Sequence, residues 1–84
     1  SDPVWDQQGK QLYYLSERSG DFNVWQRDLA NGQDRQLTHF KGHPVRGLSA
    51  SRQGDLVWSW QGELYRLDAG SDTPRKLVIQ PLFA

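Results

Sequence analysis

Two histidines separated by three residues, His39 and His43, are the first place to look for chemistry, because imidazoles at that spacing occupy adjacent turns of a helix and can share a metal ion. Gly42 between them and Pro44 after them break such a helix. With no cysteine in the chain, a third ligand would have to be a distant Asp or Glu, and the pair reads better as solvated or turn-stabilising side chains. Nucleophilic catalysis needs a Ser or Cys, a base such as His and an orienting acid within hydrogen-bond reach. Here the Ser and Thr hydroxyls stand in no nucleophile-elbow motif, and both histidines lie on one connection with no other member of a catalytic set. A glycosidase-like pair of carboxylates is represented only by Glu17 and Glu63, each at a turn or strand start in a different half of the chain, where exposed charge is the simpler reading. We therefore expect no catalytic residue, no metal ligand set and no cofactor in this segment.

Binding has a firmer basis. Residues 35–54 carry four bases, Arg35, Lys41, Arg46 and Arg52, and no acid, whereas residues 1–34 carry six acids against three bases and residues 55–84 four acids against three bases. A guanidinium holds a carboxylate through two parallel hydrogen bonds. If this stretch faces an axial channel, the four cations could attract peptide C-termini or acidic side chains. The alternative, a solvated basic loop neutralised by the acidic segments on either side, stays open. Over the whole chain ten basic and ten acidic residues cancel, which argues against bulk attraction to nucleic acid or an anionic membrane. Nor are aromatic and basic residues interleaved on the basic stretch as a single-stranded nucleic-acid site requires. No window approaches the ~20 apolar residues of a membrane-spanning helix. The chain contains no methionine, so an excised or processed segment is expected.

The elements that must position these residues are short strands. Apolar residues recur in brief runs separated by turn signals, and no helical stripe persists for three turns, so the chain reads as all-β. Val4-Trp5 precedes the turn Asp6-Gln7-Gln8-Gly9, and the run Gln11–Leu15 follows it. The turn Glu17–Asp21 leads to a strand over Phe22–Arg27. Asn31-Gly32, a strong hairpin signal, turns the chain into a fourth strand over Arg35–Thr38. Tyr13 and Leu15 point opposite to Leu12 and Tyr14, yet both sets are apolar, which implies a sheet covered on both faces.

The second half repeats the first. Gln8-Gly9 returns as Gln53-Gly54 and Leu12–Leu15 as Leu56–Ser59; Val24-Trp25 returns as Leu64-Tyr65 and Arg35–Thr38 as Arg75–Val78. The spacing contracts because Gln61-Gly62 replaces the longer Glu17–Asp21 loop. A four-stranded unit recurring at about 40 residues is the signature of a propeller blade. We thus expect two four-stranded antiparallel β-propeller blades, at residues 1–40 and 41–80, with Pro81–Ala84 opening a further blade of a larger propeller. A single eight-stranded sandwich or barrel is the alternative. The aromatics Trp5, Tyr13, Tyr14, Phe22, Trp25, Trp58, Trp60 and Tyr65 are expected to fill the space between blades. Exposed outer faces would make the isolated segment self-associate, three copies supplying six blades or a dimer capping the faces.

The stretch from Tyr13 to Phe40, followed by that from His43 to Asp68, resembles propeller repeats of the TolB type, and within those is most similar to the N-terminal six-bladed propeller of tricorn-like serine peptidases. In such repeats an Asp-x-x-Gly turn joins the first two strands; here it stands as Asp6-Gln7-Gln8-Gly9, while the second copy, Ser51-Arg52-Gln53-Gly54, keeps only the Gly. Leu37-Thr38-His39 and His43-Pro44-Val45-Arg46 match the usual passage between blades. The resemblance implies a non-catalytic segment that scaffolds or guides peptide substrate toward a separate catalytic domain. The alternative is a TolB-like module that binds a protein partner with no peptidase domain. By the same resemblance the periplasm is favoured, with the cytoplasm open.

Overall fold

The computed structural model describes residues 3–78; the expectation for Pro81–Ala84 lies outside them. Eight strands form two separate sheets and no helix occurs among the described residues. In the first sheet β1 (Val4–Trp5), β2 (Gln11–Ser16), β3 (Asn23–Asp28) and β4 (Asp34–Gln36) pair in chain order, all antiparallel. In the second, β5 (Arg46–Ala50), β6 (Leu56–Trp60), β7 (Glu63–Leu67) and β8 (Arg75–Lys76) do the same. Each sheet is thus a meander of the kind that makes one propeller blade, and the two share no hydrogen-bonded ladder, as a single closed barrel would require.

The repeat is kept to the level of single hydrogen bonds. Leu37 N–H donates to Val24 C=O, and Leu77 N–H to Leu64 C=O, both at 2.8 Å and both forty residues apart. The closing strands are shorter than the sequence suggests: beyond Gln36 only Leu37 and Thr38 N–H still meet Val24 C=O, at 2.8 and 3.4 Å, before the chain turns toward the second blade, and beyond Lys76 only Leu77 N–H continues the pattern among the described residues. Phe22 likewise precedes β3 and stays partly exposed, its C=O taken by Val45 N–H at 2.9 Å.

Three turns show why particular residues are required. The Asp6 carboxylate accepts Lys10 N–H at 2.7 Å and Gln11 N–H at 3.1 Å. In the second copy the Ser51 hydroxyl takes that role, accepting Gln53 N–H and Asp55 N–H, each at 3.2 Å, so the loss of Asp leaves the turn intact. Gln61 and Gly62 have φ of 51° and 77°, the left-handed pair of a two-residue type I′ hairpin. Asn31-Gly32 behaves otherwise: only Gly32 is left-handed, and the loop from Leu29 to Gln33 closes through Gly32 N–H to Asp28 C=O at 2.7 Å. Asn31 instead accepts Gln33 N–H on its side chain, at 2.9 Å.

The core lies between the two sheets. Strand alternation puts Val4, Tyr13, Leu15 and Val24 on one face of the first sheet and Leu48, Leu56, Trp58, Tyr65 and Leu67 on the facing side of the second. Val24, Val45, Leu56 and Trp58 are almost wholly buried there. At about 25 cal/mol per Å² of apolar surface, this contact is the main stabilising interaction between the blades.

Candidate functional site

Strand β5 packs against both β1 and β2, whereas among the described residues the far edges β4 and β8 make no contact of that extent with the other sheet. The sheets therefore converge at β1 and β5 and splay toward β4 and β8. In a ring of blades the converging edge faces the axis, where the first strand of every blade lines the channel. On β5 only Leu48 is buried; Arg46, Gly47, Ser49 and Ala50 are exposed, so this strand presents backbone and small or cationic side chains on the axial side.

The chain reaches β5 through a connection that is fixed in place. Asn23, 2% exposed, donates to Asp21 C=O at 3.2 Å and Phe40 C=O at 3.1 Å, and its side-chain oxygen accepts the Thr38 hydroxyl and Phe40 N–H, both at 2.8 Å. Thr38 Oγ1 in turn accepts Val24 N–H at 2.9 Å, and the Asp21 carboxylate accepts Gly42 N–H at 2.9 Å. A fully satisfied buried amide of this kind orders every segment it touches. Phe40 then stacks on Trp60 at 4.6 Å and meets Tyr65 edge-on at 4.9 Å, while Trp60 Nε1–H donates to His43 C=O at 2.8 Å. Asn23 and Phe40 were not singled out from the sequence. The signal for Asn23 was available, an amide beginning an otherwise β-forming run.

The four cations of the acid-free stretch are spread over the molecule. Arg35 is on the outer strand β4, where its guanidinium donates to Gln26 Oε1 at 2.9 Å. Lys41 lies on the connection, beside a small polar hollow that includes Asp21 and His39. Arg52 is in the turn before β6, and its C=O accepts Gln7 Nε2–H from the other blade. Arg46 opens β5, and its guanidinium makes no hydrogen bond or ion pair among the described residues. It borders a hollow of about 370 Å³ whose walls are mostly apolar. The structure does not bring the four together; Arg46 alone is on the axial strand.

His39 and His43 are both exposed, and their imidazoles make no hydrogen bond to a hydroxyl or carboxylate among the described residues. Glu17, in a turn, and Glu63, at the start of β7, are exposed on separate blades. Of the aromatics expected between the blades, Tyr13, Trp58, Trp60 and Tyr65 are there, whereas Trp5 is 58% exposed and Tyr14 and Trp25 face outward on the first sheet. Burial holds the Tyr13 phenol above its ordinary pKa, with the Asp6 carboxylate adding to the effect.

On the outer faces the ionic groups are paired. Arg27 and Arg18 both reach Asp34, at 2.8 and 3.1 Å, and hold its carboxyl well below the usual range. Arg75 and Arg66 likewise depress Asp68, and Arg66 also reaches the buried Asp55 at 2.5 Å. Asp55 further accepts Ala69 N–H at 2.7 Å, tying the loop after β7 to the start of β6.

No protein-family model matches this sequence, and no curated protein matches it by sequence. Solved structures do match. The tricorn protease superimposes with a TM-score of 0.80 at 24% identity, over 100% of this chain and 8% of that one. TolB from Acinetobacter baumannii superimposes with a TM-score of 0.70 at 25% identity, over 93% of this chain and 21% of that one. The chain thus spans less than a quarter of either protein. Its fold is that of two adjacent TolB-type propeller blades, similar to the propeller of the tricorn protease.

Proposed function

We propose that this chain is a non-catalytic propeller segment that guides extended peptides along its axial edge toward a catalytic domain carried elsewhere in a tricorn-like peptidase. The observation that carries this reading is the exposed side of β5, where a guanidinium with no partner among the described residues stands at the edge where the blades converge. A solvated cation there attracts carboxylates passing along the edge, with a strength that falls as salt rises. Arg35 and Lys41 would add only to the general field, whereas Arg52, in the turn that follows β5, stands at the other end of that edge.

Titrating the 84-residue chain with unstructured acidic peptides tests this. Binding should weaken as salt rises, and Arg46→Glu should weaken it more than Arg35→Glu. Equal effects of the two substitutions would remove the axial edge from the proposal. A second reading, a TolB-like module for a folded protein partner, is favoured by the superposition on TolB. It predicts that short peptides do not bind while a protein partner protects β1 and β5 from hydrogen exchange.

A further inference from the structure

The hollow beside Arg46 combines an apolar floor with a guanidinium on its rim. Leu15, Phe22, Pro44 and Val45 make an apolar floor, and Arg46 and Gly47 form one rim. Phe22 is 39% exposed, a large apolar ring held open to solvent next to a guanidinium with no protein partner. Among the other described arginines, Arg18, Arg27, Arg66 and Arg75 are each held by an Asp and Arg35 by Gln26, while Arg52, whose guanidinium also has no partner among the described residues, lies in the turn before β6 and not on this hollow. The floor is rigid, since Val45 is buried and its N–H is fixed on Phe22 C=O.

The backbone also favours the arrangement. The pairing of β5 with β6 shifts register between Arg46 and Ser49, and Gly47 within that bulge has φ of 67°. A bulge of this kind re-aims the side chain beside it, and the left-handed conformation favours glycine. A Cβ at Gly47 would meet only the Ser59 hydroxyl, at 4.0 Å, so the requirement is conformational and not one of space. The irregularity sits at the one point of the axial strand that carries a cation.

We infer that this hollow is a side-chain subsite for an extended peptide. It seats an apolar residue against Leu15, Phe22 and Val45 while Arg46 holds the carboxylate of an acidic residue two positions away. An extended chain turns side chains at i and i+2 to the same side, about 7 Å apart, which matches an apolar floor bordered by a long cationic side chain. The inference rests on the peptide reading above and adds a substrate class, segments with an apolar-x-acidic pattern.

The test is an amide-resolved NMR titration of the whole 84-residue chain with end-blocked pentapeptides: Gly-Leu-Ser-Asp-Gly, its Asp→Asn form and its Leu→Ala form. Blocked ends leave the side chains as the only carboxylate source. The parent peptide should shift the amides of Leu15, Phe22, Val45 and Gly47. The Asn form should bind about threefold more weakly, as expected for one exposed ion pair, and the Ala form about tenfold more weakly, for a half-covered leucine. Arg46→Gln should abolish the Asp-over-Asn preference, and Phe22→Ala the Leu-over-Ala preference; both residues are exposed, and spectral dispersion reports whether each variant folds. Peptides that bind but shift amides elsewhere, or show no preference on the unaltered chain, overturn the subsite and leave peptide guiding standing. Absence of binding by any of the three, and by the longer acidic peptides, overturns both.

Discussion

Tyr14 and Trp58 occupy the same place in the two blades, each paired across the strand with a second aromatic, Trp25 and Tyr65. Trp58 is 1% exposed, its ring parallel to that of Tyr65 at 6.3 Å, and faces the other blade. Tyr14 and Trp25 face outward, and what covers them is arginine: the Arg18 guanidinium lies 4.1 Å from the Trp25 ring centre and 5.4 Å from that of Tyr14, with Arg27 5.7 Å from Tyr14. One further position differs with them. Leu67 stands opposite Leu56 in the buried copy, and Arg27 stands opposite Leu12 in the other. The repeat decides which residues share a face, and at this position one blade places a leucine against its neighbour while the other places a planar, weakly hydrated cation over the aromatic rings.

The largest expected effect breaks the equivalence directly. Trp58→Ala should cost about 3–5 kcal/mol, because it opens a cavity in the contact between the blades. Tyr14→Ala should cost about 1 kcal/mol, since only a half-covered ring and its contacts with arginine are lost. Urea unfolding of both variants measures the gap, and equal costs would mean that the outward face is as much a core as the inner one. A smaller effect follows from removing the cover. Arg18→Ala with Arg27→Ala bares Tyr14 and Trp25, so light scattering across a dilution series should show self-association beginning at lower concentration than in the unaltered chain. A species near three times the chain mass would identify ring closure by six blades. Association that falls in the double variant would instead make the arginines part of the contact.

The two-blade plan was legible because turns, aromatics and closing strands recur in order, and that order survives the change of a single residue: Ser51 stands for Asp6, and its side chain still accepts the N–H four positions on. Which aromatics lie inside was only partly legible. Alternation shows that Tyr13 and Tyr14 point oppositely, but not which of the two faces meets the second blade, and it is the face of Tyr13, not that of Tyr14 and Trp25, that does. Phe40 was missed because it lies outside any strand and is carried into the core by the Asn23 amide, a long-range interaction that no local pattern contains. The basic stretch was legible as composition and not as geometry. Its residues are close in sequence, but a strand edge, a connection, an axial strand and a turn carry them apart.

The smallest effect sharpens the contrast between inner and outer faces. The contact between blades is held by apolar residues, whereas Asp34 on one outer face and Asp68 on the other are held below the ordinary carboxylate range by their arginines. A carboxyl whose folded pKa lies below its unfolded value of about 4 contributes stability that is full above that pH and is lost as the pH falls below it. Urea midpoints should therefore decline from pH 5 toward pH 2, and added salt should flatten the decline, since both aspartates are engaged by partly exposed arginines and screening reaches them. Asp34→Asn and Asp68→Asn should each remove part of the acid dependence while leaving the near-ultraviolet signal of Trp58 unchanged. An acid transition that first disturbs Trp58 would place the titrating groups between the blades and reverse the assignment of polar and apolar roles to the two kinds of face.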